Sequence, residues 1–256
     1  MQARQTKILN ILSQKKKVSI SELSEVLKVS KVTIRKDLSQ LESKGLLRRE
    51  HGFAALVNSD DITNRLSFNY EIKKKIAQKA LETIKDGETI MIESGSCCAL
   101  LAEEIISNKR DITIITNSVF IATYIRHKVG AKLILLGGEF QNESQVMVGP
   151  LIKICASNFY VEKFFIGTDG FNEVGAMSGD LMRAEAVKNM AESAQKVIIL
   201  TESKKFQQTG IVPLLPYEKI NAIYTDSQLE ESSRQKLEKK NIKIKTVMKE
   251  NENHGK

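Results

Sequence analysis

Between residues 89 and 247 short apolar runs alternate with amphipathic stretches, and that alternation restricts the fold more than any other feature of the chain. The runs are Thr89–Ile92, Ile112–Thr116, Lys132–Leu136, Lys163–Ile166, Val197–Leu200, Ala222–Tyr224 and Ile242–Val247. Helical spacing of apolar residues fills most of the gaps, over Cys98–Ile106, Val119–Lys128, Leu151–Phe159, Leu181–Ala194 and Leu229–Lys240. A strand that is apolar throughout must be covered on both faces, and a helix between strands brings the chain back for parallel pairing. The pattern predicts an open, mostly parallel α/β sheet. Ligands on such sheets bind beyond the carboxyl ends of the strands.

The first 57 residues read differently. They hold 12 Lys and Arg against 5 Asp and Glu, whereas the other 199 residues hold 27 against 26. Nearly all of the net charge of +8 therefore lies in the first fifth of the chain, which favours a polyanion such as nucleic acid. Ile8, Ile11 and Leu12 predict a helix over residues 3–14, closed by Lys15-Lys16-Lys17. Val18-Ser19-Ile20 reads as extended, and Ser21 as the N-cap of a second helix carrying Leu23, Val26 and Leu27. Ser30 is placed to cap a third helix through Ser43, with Ile34, Leu38 and Leu41 on its buried face and Gly45 as its terminator. A hairpin turning at His51-Gly52 follows.

Three short helices and a basic hairpin make a winged helix-turn-helix. With Ile34 facing inward, Val32, Lys36 and Ser39 face outward, flanked by Thr33, Arg35 and Gln40. These are side chains that meet thymine methyls, guanine edges and phosphates in a major groove. Lys31 lies at the helix start, Arg48 and Arg49 on the wing are placed to reach backbone phosphate, and His51 is either a further phosphate contact or simply a turn residue. Residues 58–71 are polar and read as a linker, with a helix from Ile72 to Lys85 beyond it. The organisation expected is thus a DNA-binding domain over 1–57, a linker over 58–71, an α/β domain over 72–248 and a frayed tail over 249–256.

The loops just past the strands carry the candidate ligand chemistry. Glu93-Ser94-Gly95-Ser96-Cys97-Cys98 leads into a helix, where glycine and hydroxyl groups leave N–H donors for an anion. Thr116-Asn117-Ser118 follows the next strand, Gly137-Gly138 the third, Gly167-Thr168-Asp169-Gly170 the fourth and Thr201-Glu202-Ser203-Lys204-Lys205 the fifth. Gathered on one edge, these supply phosphate donors, hydroxyl and carbonyl binders, a carboxylate and a lysine, a set suited to a phosphorylated sugar or polyol. Cys97 and Cys98 stand at a helix N-terminus, which lowers a thiol pKa and would suit a redox sensor, although small packed side chains are the simpler reading. Three cysteines without a CxxC pair and three scattered histidines (His51, His127, His254) argue against a disulfide framework and a structural zinc. No apolar run is long enough to span a membrane and no secretory signal opens the chain, so a cytoplasmic protein without a metal or cofactor is expected.

Along nearly its whole length the chain resembles the DeoR family of bacterial transcriptional regulators. The likeness rests on Arg4-Gln5, Val18-Ser19-Ile20-Ser21-Glu22-Leu23, Ser30-Lys31-Val32-Thr33-Ile34-Arg35-Lys36-Asp37-Leu38, Gly45-Leu46-Leu47-Arg48-Arg49 and His51-Gly52. It continues in Gly95-Ser96, Thr116-Asn117-Ser118, Gly137-Gly138, Val148-Gly149-Pro150, Gly167-Thr168-Asp169-Gly170 and Lys205-Phe206. The resemblance implies a homo-oligomeric repressor of a sugar or polyol operon, induced by a phosphorylated intermediate. It also implies a second domain like ribose-5-phosphate isomerase and related sugar-phosphate enzymes. By that likeness Gly95, Ser96, Asn117, Gly138, Asp169 and Lys205 are effector contacts, with Cys97, Ser118, Gly137 and Gly170 beside them. Cys97-Cys98 stands where the family commonly has two threonines, and Phe53 where it has glycine. Asn172 replaces an aspartate of the isomerases, and an amide cannot act as a carboxylate base. The alternatives are an isomerase-like enzyme with an appended DNA-binding domain, and a second domain that only oligomerises.

Overall fold

A computed structural model describes residues 3–15, 17–43, 46–50, 52–55, 62–126 and 131–248. Contacts divide the chain into two units, Met1–Glu71 and Ile72–Lys256. Gly45, His51, His127, the 58–61 part of the expected linker, the Lys128 end of an expected helix and the tail from residue 249 lie outside the described residues.

The first unit runs α1 (Ala3–Lys15), β1 (Lys17–Ser19), α2 (Ile20–Leu27), α3 (Lys31–Ser43), β2 (Arg48–Glu50), β3 (Phe53–Ala55) and α4 (Ile62–Ser67). Its strands form a small antiparallel sheet in the order β1-β3-β2. Ile8, Leu9, Leu12, Leu23, Ile34, Leu38 and Leu41 are all fully buried, so the apolar stripes of the three helices face one another. Ser19, rather than Ser21, caps α2, its Oγ accepting the Glu22 N–H at 3.1 Å. Ser19 keeps the extended backbone an N-cap needs, whereas Ser21 is already in the first turn. Gly52 takes the left-handed turn at φ 87°, which leaves Phe53 in regular strand pairing with Ser19 and Glu50. The phenylalanine on the wing is therefore unstrained. The expected linker is helical over α4: Ile62 and Leu66, one turn apart, are buried, and the Ser67 hydroxyl donates to the Leu46 carbonyl at 3.0 Å.

The second unit holds the body of α5 (Tyr70–Leu81), which starts and ends earlier than expected, then β4 (Thr89–Ile92), α6 (Ser96–Asn108), β5 (Ile112–Thr116), α7 (Val119–Ile125) and β6 (Ala131–Leu135). There follow β7 (Glu139–Gln141), β8 (Val146–Val148), α8 (Pro150–Ala156), β9 (Val161–Ile166), β10 (Gly170–Phe171), β11 (Gly175–Ser178) and α9 (Leu181–Ala191). The chain ends through β12 (Ala194–Leu200), β13 (Val212–Pro216), β14 (Ala222–Asp226), α10 (Glu231–Lys239) and β15 (Lys243–Val247). All seven expected strands pair in one sheet, every neighbour parallel, in the order β15-β14-β12-β9-β4-β5-β6.

Side chains alternate across this sheet. Met91, Ile115, Phe164, Ile166, Val197 and Ile199 join one core with residues of α8, α9 and α10, while the intervening Ile90, Ile92, Ile114, Phe165, Ile198 and Leu200 are buried on the other face. Burial on both faces explains the continuous apolar runs. Two additions were not legible as strands: the β7–β8 hairpin and an antiparallel sheet of order β10-β11-β13. No helix among the described residues is long and apolar enough to cross a membrane.

Candidate functional site

In the first unit the candidate surface is the outer face of α3. A three-residue turn, Lys28-Val29-Ser30, joins it to α2: Lys28 adopts φ 52°, and the Val29 N–H reaches back to the Ser24 carbonyl at 3.2 Å. Ser30 caps α3 as expected, accepting the Thr33 N–H at 3.2 Å and pairing with the Thr33 hydroxyl at 2.9 Å. Lys31, Val32, Arg35, Lys36, Ser39 and Gln40 are exposed, and Val32 is 72% exposed. Lys31, Arg35 and Lys36 make no ion pair among the described residues, so three cations and a bare valine point outward together.

What aims this face is an ion pair that sequence reasoning did not single out. Arg4 in α1 grips the buried Asp37 of α3 through Nε at 2.5 Å and Nη2 at 3.2 Å, a two-pronged contact that fixes helix rotation as well as distance. Beside it Gln5 donates to Gln40 at 2.6 Å. The wing arginines differ from each other. Glu42 of α3 accepts the Arg49 backbone N–H at 2.9 Å and its Nε at 2.5 Å, and that backbone bond foremost holds the Glu42 carboxyl below its ordinary value. Arg49 thus fastens the wing to α3. Arg48 reaches Glu50 at 3.0 Å and is mostly exposed.

In the second unit the strand order reverses between β4 and β9, because the chain moves outward from β4 through β5 and β6 and returns to build β9, β12, β14 and β15 on the other side. That reversal opens a crevice at the carboxyl ends, the ligand position of open α/β sheets. Gly95 and Gly167 meet there: a Cβ on Gly95 would lie 3.1 Å from the Gly167 Cα. Gly95 is the N-cap of α6 and has no capping side chain, so the first-turn N–H groups of Ser96 and Cys97 lack helical partners. The Asp169 carboxylate accepts the Gly179 N–H at 2.8 Å, and Lys205 Nζ lies 3.5 Å from the Asp169 carbonyl. Gln141 of the hairpin contacts Asp180 at 3.3 Å, and Asp180 caps α9. Asn117 sits at the end of β5, 1% exposed, with Nδ2 donating to the Met147 carbonyl at 3.0 Å and Oδ1 buried without a partner among the described residues. An orphaned buried acceptor is costly, and it suits a hydroxyl donor.

Other candidates have structural work. Ser118 caps α7, accepting the Ile121 N–H at 3.1 Å. A Cβ on Gly138 would fall 2.4 Å from the Val148 carbonyl oxygen, and one on Gly170 would fall 2.3 Å from that of Gln208, so both glycines admit neighbouring backbone. Gly137 is exposed, and a Cβ added there would meet nothing within 4 Å among the described residues. The Cys97 and Cys98 side chains are buried, and burial foremost pushes the Cys97 thiol up to about 12 and Cys98 well above its ordinary value. The helix N-terminus does not make them reactive, because desolvation outweighs it. Asn172 closes a turn, its Oδ1 accepting the N–H groups of Val174 at 2.8 Å and Gly175 at 3.1 Å.

Beneath the crevice lies a buried charge cluster that the sequence concealed. Glu202, at the end of β12, stands 3.4 Å from Lys73 of α5 and 3.2 Å from Lys204. Burial lowers the Lys73 pKa, opposed by the Glu202 charge. Ser203 fastens the same loop to Asp226 by its N–H at 2.8 Å and its hydroxyl at 2.6 Å. Among the described residues no three His, Cys, Asp or Glu side chains are arranged to hold a metal.

Comparison with known proteins finds a separate family model for each part of the chain. Residues 4–60 match the DeoR-like helix-turn-helix domain, and residues 68–227 match the DeoR C terminal sensor domain. The HTH-type transcriptional regulator GolR of Listeria innocua is 28% identical over 247 residues, 94% of this chain and 97% of that protein. The glycerol-3-phosphate regulon repressor of Escherichia coli K12 is 28% identical over 228 residues, 88% and 90% of the two chains. Among solved structures, a D-ribose-5-phosphate isomerase in complex with phospho-erythronic acid aligns over 54% of each chain at 19% identity and a TM-score of 0.39.

Proposed function

Because the chain belongs to the DeoR family of transcriptional regulators, we propose that it represses a sugar or polyol catabolic operon and leaves its operator when a phosphorylated intermediate fills the strand-end crevice. The observation that carries the first half is the outer face of α3, where Lys31, Arg35 and Lys36 are exposed around Val32 and make no ion pair among the described residues. Arg35 and Lys36 read guanine edges, Val32 and Thr33 meet thymine methyls, and Lys31 and Arg48 take phosphates. His51 is a further candidate phosphate contact, and Arg49 contributes chiefly by holding the wing. The protein acts as a homo-oligomer, since repeated half-sites require paired recognition helices.

In the crevice, Lys205 meets the phosphate, the open N–H groups of Ser96 and Cys97 and the Asp169 loop meet polar groups beside it, and Asn117 Oδ1 accepts a hydroxyl. The likeness to a glycerol-3-phosphate regulon repressor supports this class of effector. Asn172, an amide committed to its own turn, supports control without turnover. Effector and operator favour different arrangements of the chain, so each weakens the other by the same factor. The test pairs two measurements on the purified protein. A panel of sugar and polyol phosphates and their unphosphorylated parents is screened for thermal stabilisation, which reaches about 2.7 kcal/mol when the ligand is a hundredfold above its Kd. The compound that stabilises is then added to promoter DNA complexes followed by fluorescence anisotropy. One phosphate that stabilises, whose parent does not, and that releases DNA is the expected result. Stabilisation by no compound, or stabilisation without release, rejects the effector half.

A further inference from the structure

At the reversal of strand order two backbone N–H groups from separate loops converge on a single oxygen. Gly95 N donates to Glu93 Oε2 at 2.8 Å and Gly167 N donates to the same atom at 3.0 Å. Paired N–H groups of this kind, at the carboxyl ends of parallel strands, would otherwise cradle a phosphate oxygen. Here the chain supplies the anion itself. The bonds are charge-assisted, and the two loops are too close for either glycine to gain a side chain freely: a Cβ on Gly95 would lie 3.1 Å from both Glu93 Oε2 and the Gly167 Cα.

The acceptor count shows what Glu93 still offers. Each carboxylate oxygen has two lone pairs. Oε2 spends both on Gly95 and Gly167. Among the described residues Oε1 accepts only the Ser94 hydroxyl, at 2.7 Å, and keeps one lone pair. Glu93 is half-buried, so a ligand in the crevice reaches it. A phosphate arriving here meets like charge and finds its donors taken, whereas a hydroxyl finds an ionised acceptor. Lys205, which makes no ion pair among the described residues and lies 3.5 Å from the Asp169 carbonyl, remains the cation for the charged end.

We infer that Glu93 is a specificity-determining residue of this crevice: it closes the Gly95–Gly167 amide pair to phosphate and takes a hydroxyl of the effector's neutral end through Oε1. This rests on the effector reading above and adds the direction in which the ligand lies. It is tested with inorganic phosphate on the full chain labelled with ¹⁵N-glycine, following the Gly167 amide signal among the 14 glycines. In the wild type that signal should stay unmoved up to tens of millimolar phosphate. In Glu93→Ala, with both N–H groups vacated, it should shift and saturate, with phosphate binding at least tenfold tighter than in the wild type. A saturating shift of Gly167 in the wild type overturns the inference, and so does a folded Glu93→Ala that binds phosphate no more tightly. If Glu93→Ala does not fold, the wild-type titration alone decides. Neither readout uses operator or sugar phosphate. A chain that responds to no sugar phosphate leaves the result standing, and phosphate at Gly167 in the wild type removes Glu93 without touching effector control.

Discussion

Cys97 offers the most quantitative check on the architecture of the crevice. Its side chain is 4% exposed in the first turn of α6, and burial holds its thiol at about 12 against an ordinary value of 9.0. A group whose folded pKa is raised contributes stability that is fully present below the unfolded value and is lost as pH climbs from there toward the folded value. At pH 8 the thiol is neutral in both states. At pH 10 about ten-elevenths of unfolded chains carry the thiolate while the folded site stays neutral, so Cys97 alone withdraws about 1.4 kcal/mol. Lys73 acts in the opposite direction, since its folded pKa lies below 10.5 and its contribution grows as pH rises through that window. It is present in wild type and Cys97→Ala alike, so it largely cancels in their difference. Urea unfolding of both proteins at pH 8 and pH 10, under reducing conditions, should show the wild type losing about 1.4 kcal/mol more than the variant in the transition of the second unit. Equal losses would mean that the thiol titrates near its ordinary value and faces water. Cys97 would then be available to a ligand through its side chain, and the burial argument would be refuted.

The remaining expectations concern the two surfaces. Arg35→Ala or Lys36→Ala should each weaken operator binding by about 1–3 kcal/mol where the lost contact is to a base, read by fluorescence anisotropy at fixed salt. Unchanged affinity in both removes α3 from the groove. Lys205→Ala should still bind operator yet show no release by the effector, and a normal release curve would take Lys205 out of the site. Gly138→Ala should cost about 1–3 kcal/mol, because its Cβ would press on the Val148 carbonyl, whereas Gly137→Ala has open space and should be near neutral by thermal melting. A tolerated Gly138→Ala would show that the hairpin can move away from the strand end.

In the function proposed above, the crevice and the α3 face are coupled through linkage. An effector can shift the operator equilibrium only by its preference for one arrangement of the chain over another. Lys205 reaches the Asp169 loop from the short helical turn Ser203–Gln207, which is itself fastened to Asp226 and sits beside the buried Glu202–Lys73 pair. A ligand that draws Lys205 therefore pulls on a stiff loop, not on a free side chain.

Local periodicity alone determined a good deal. The inner strands β4, β5, β9, β12 and β14 carry apolar runs because both of their faces are covered, so each announces itself without its neighbours, whereas the edge strands β6 and β15 are only partly buried. The inward stripe of α3 and the Ser30 cap are likewise contained within a few consecutive residues, and so was the outward set of Lys31, Val32, Arg35 and Lys36. Tertiary structure decided everything that depends on two distant segments meeting. Ser19 and Ser21 are equally good caps by composition, and only the end of β1 chooses between them. The strands β7, β8, β10, β11 and β13 are short and rest on pairing partners and bulged registers that no period encodes. Asp37 looks like one more surface carboxylate until Arg4, 33 residues away, closes on it. Glu93 looks like part of a phosphate loop until the Gly167 amide, 74 residues on, fills its oxygen. Hydrogen bonds and ion pairs across such separations are set by where the backbone has already been placed, which is why the residue types were visible in advance and their assignments were not.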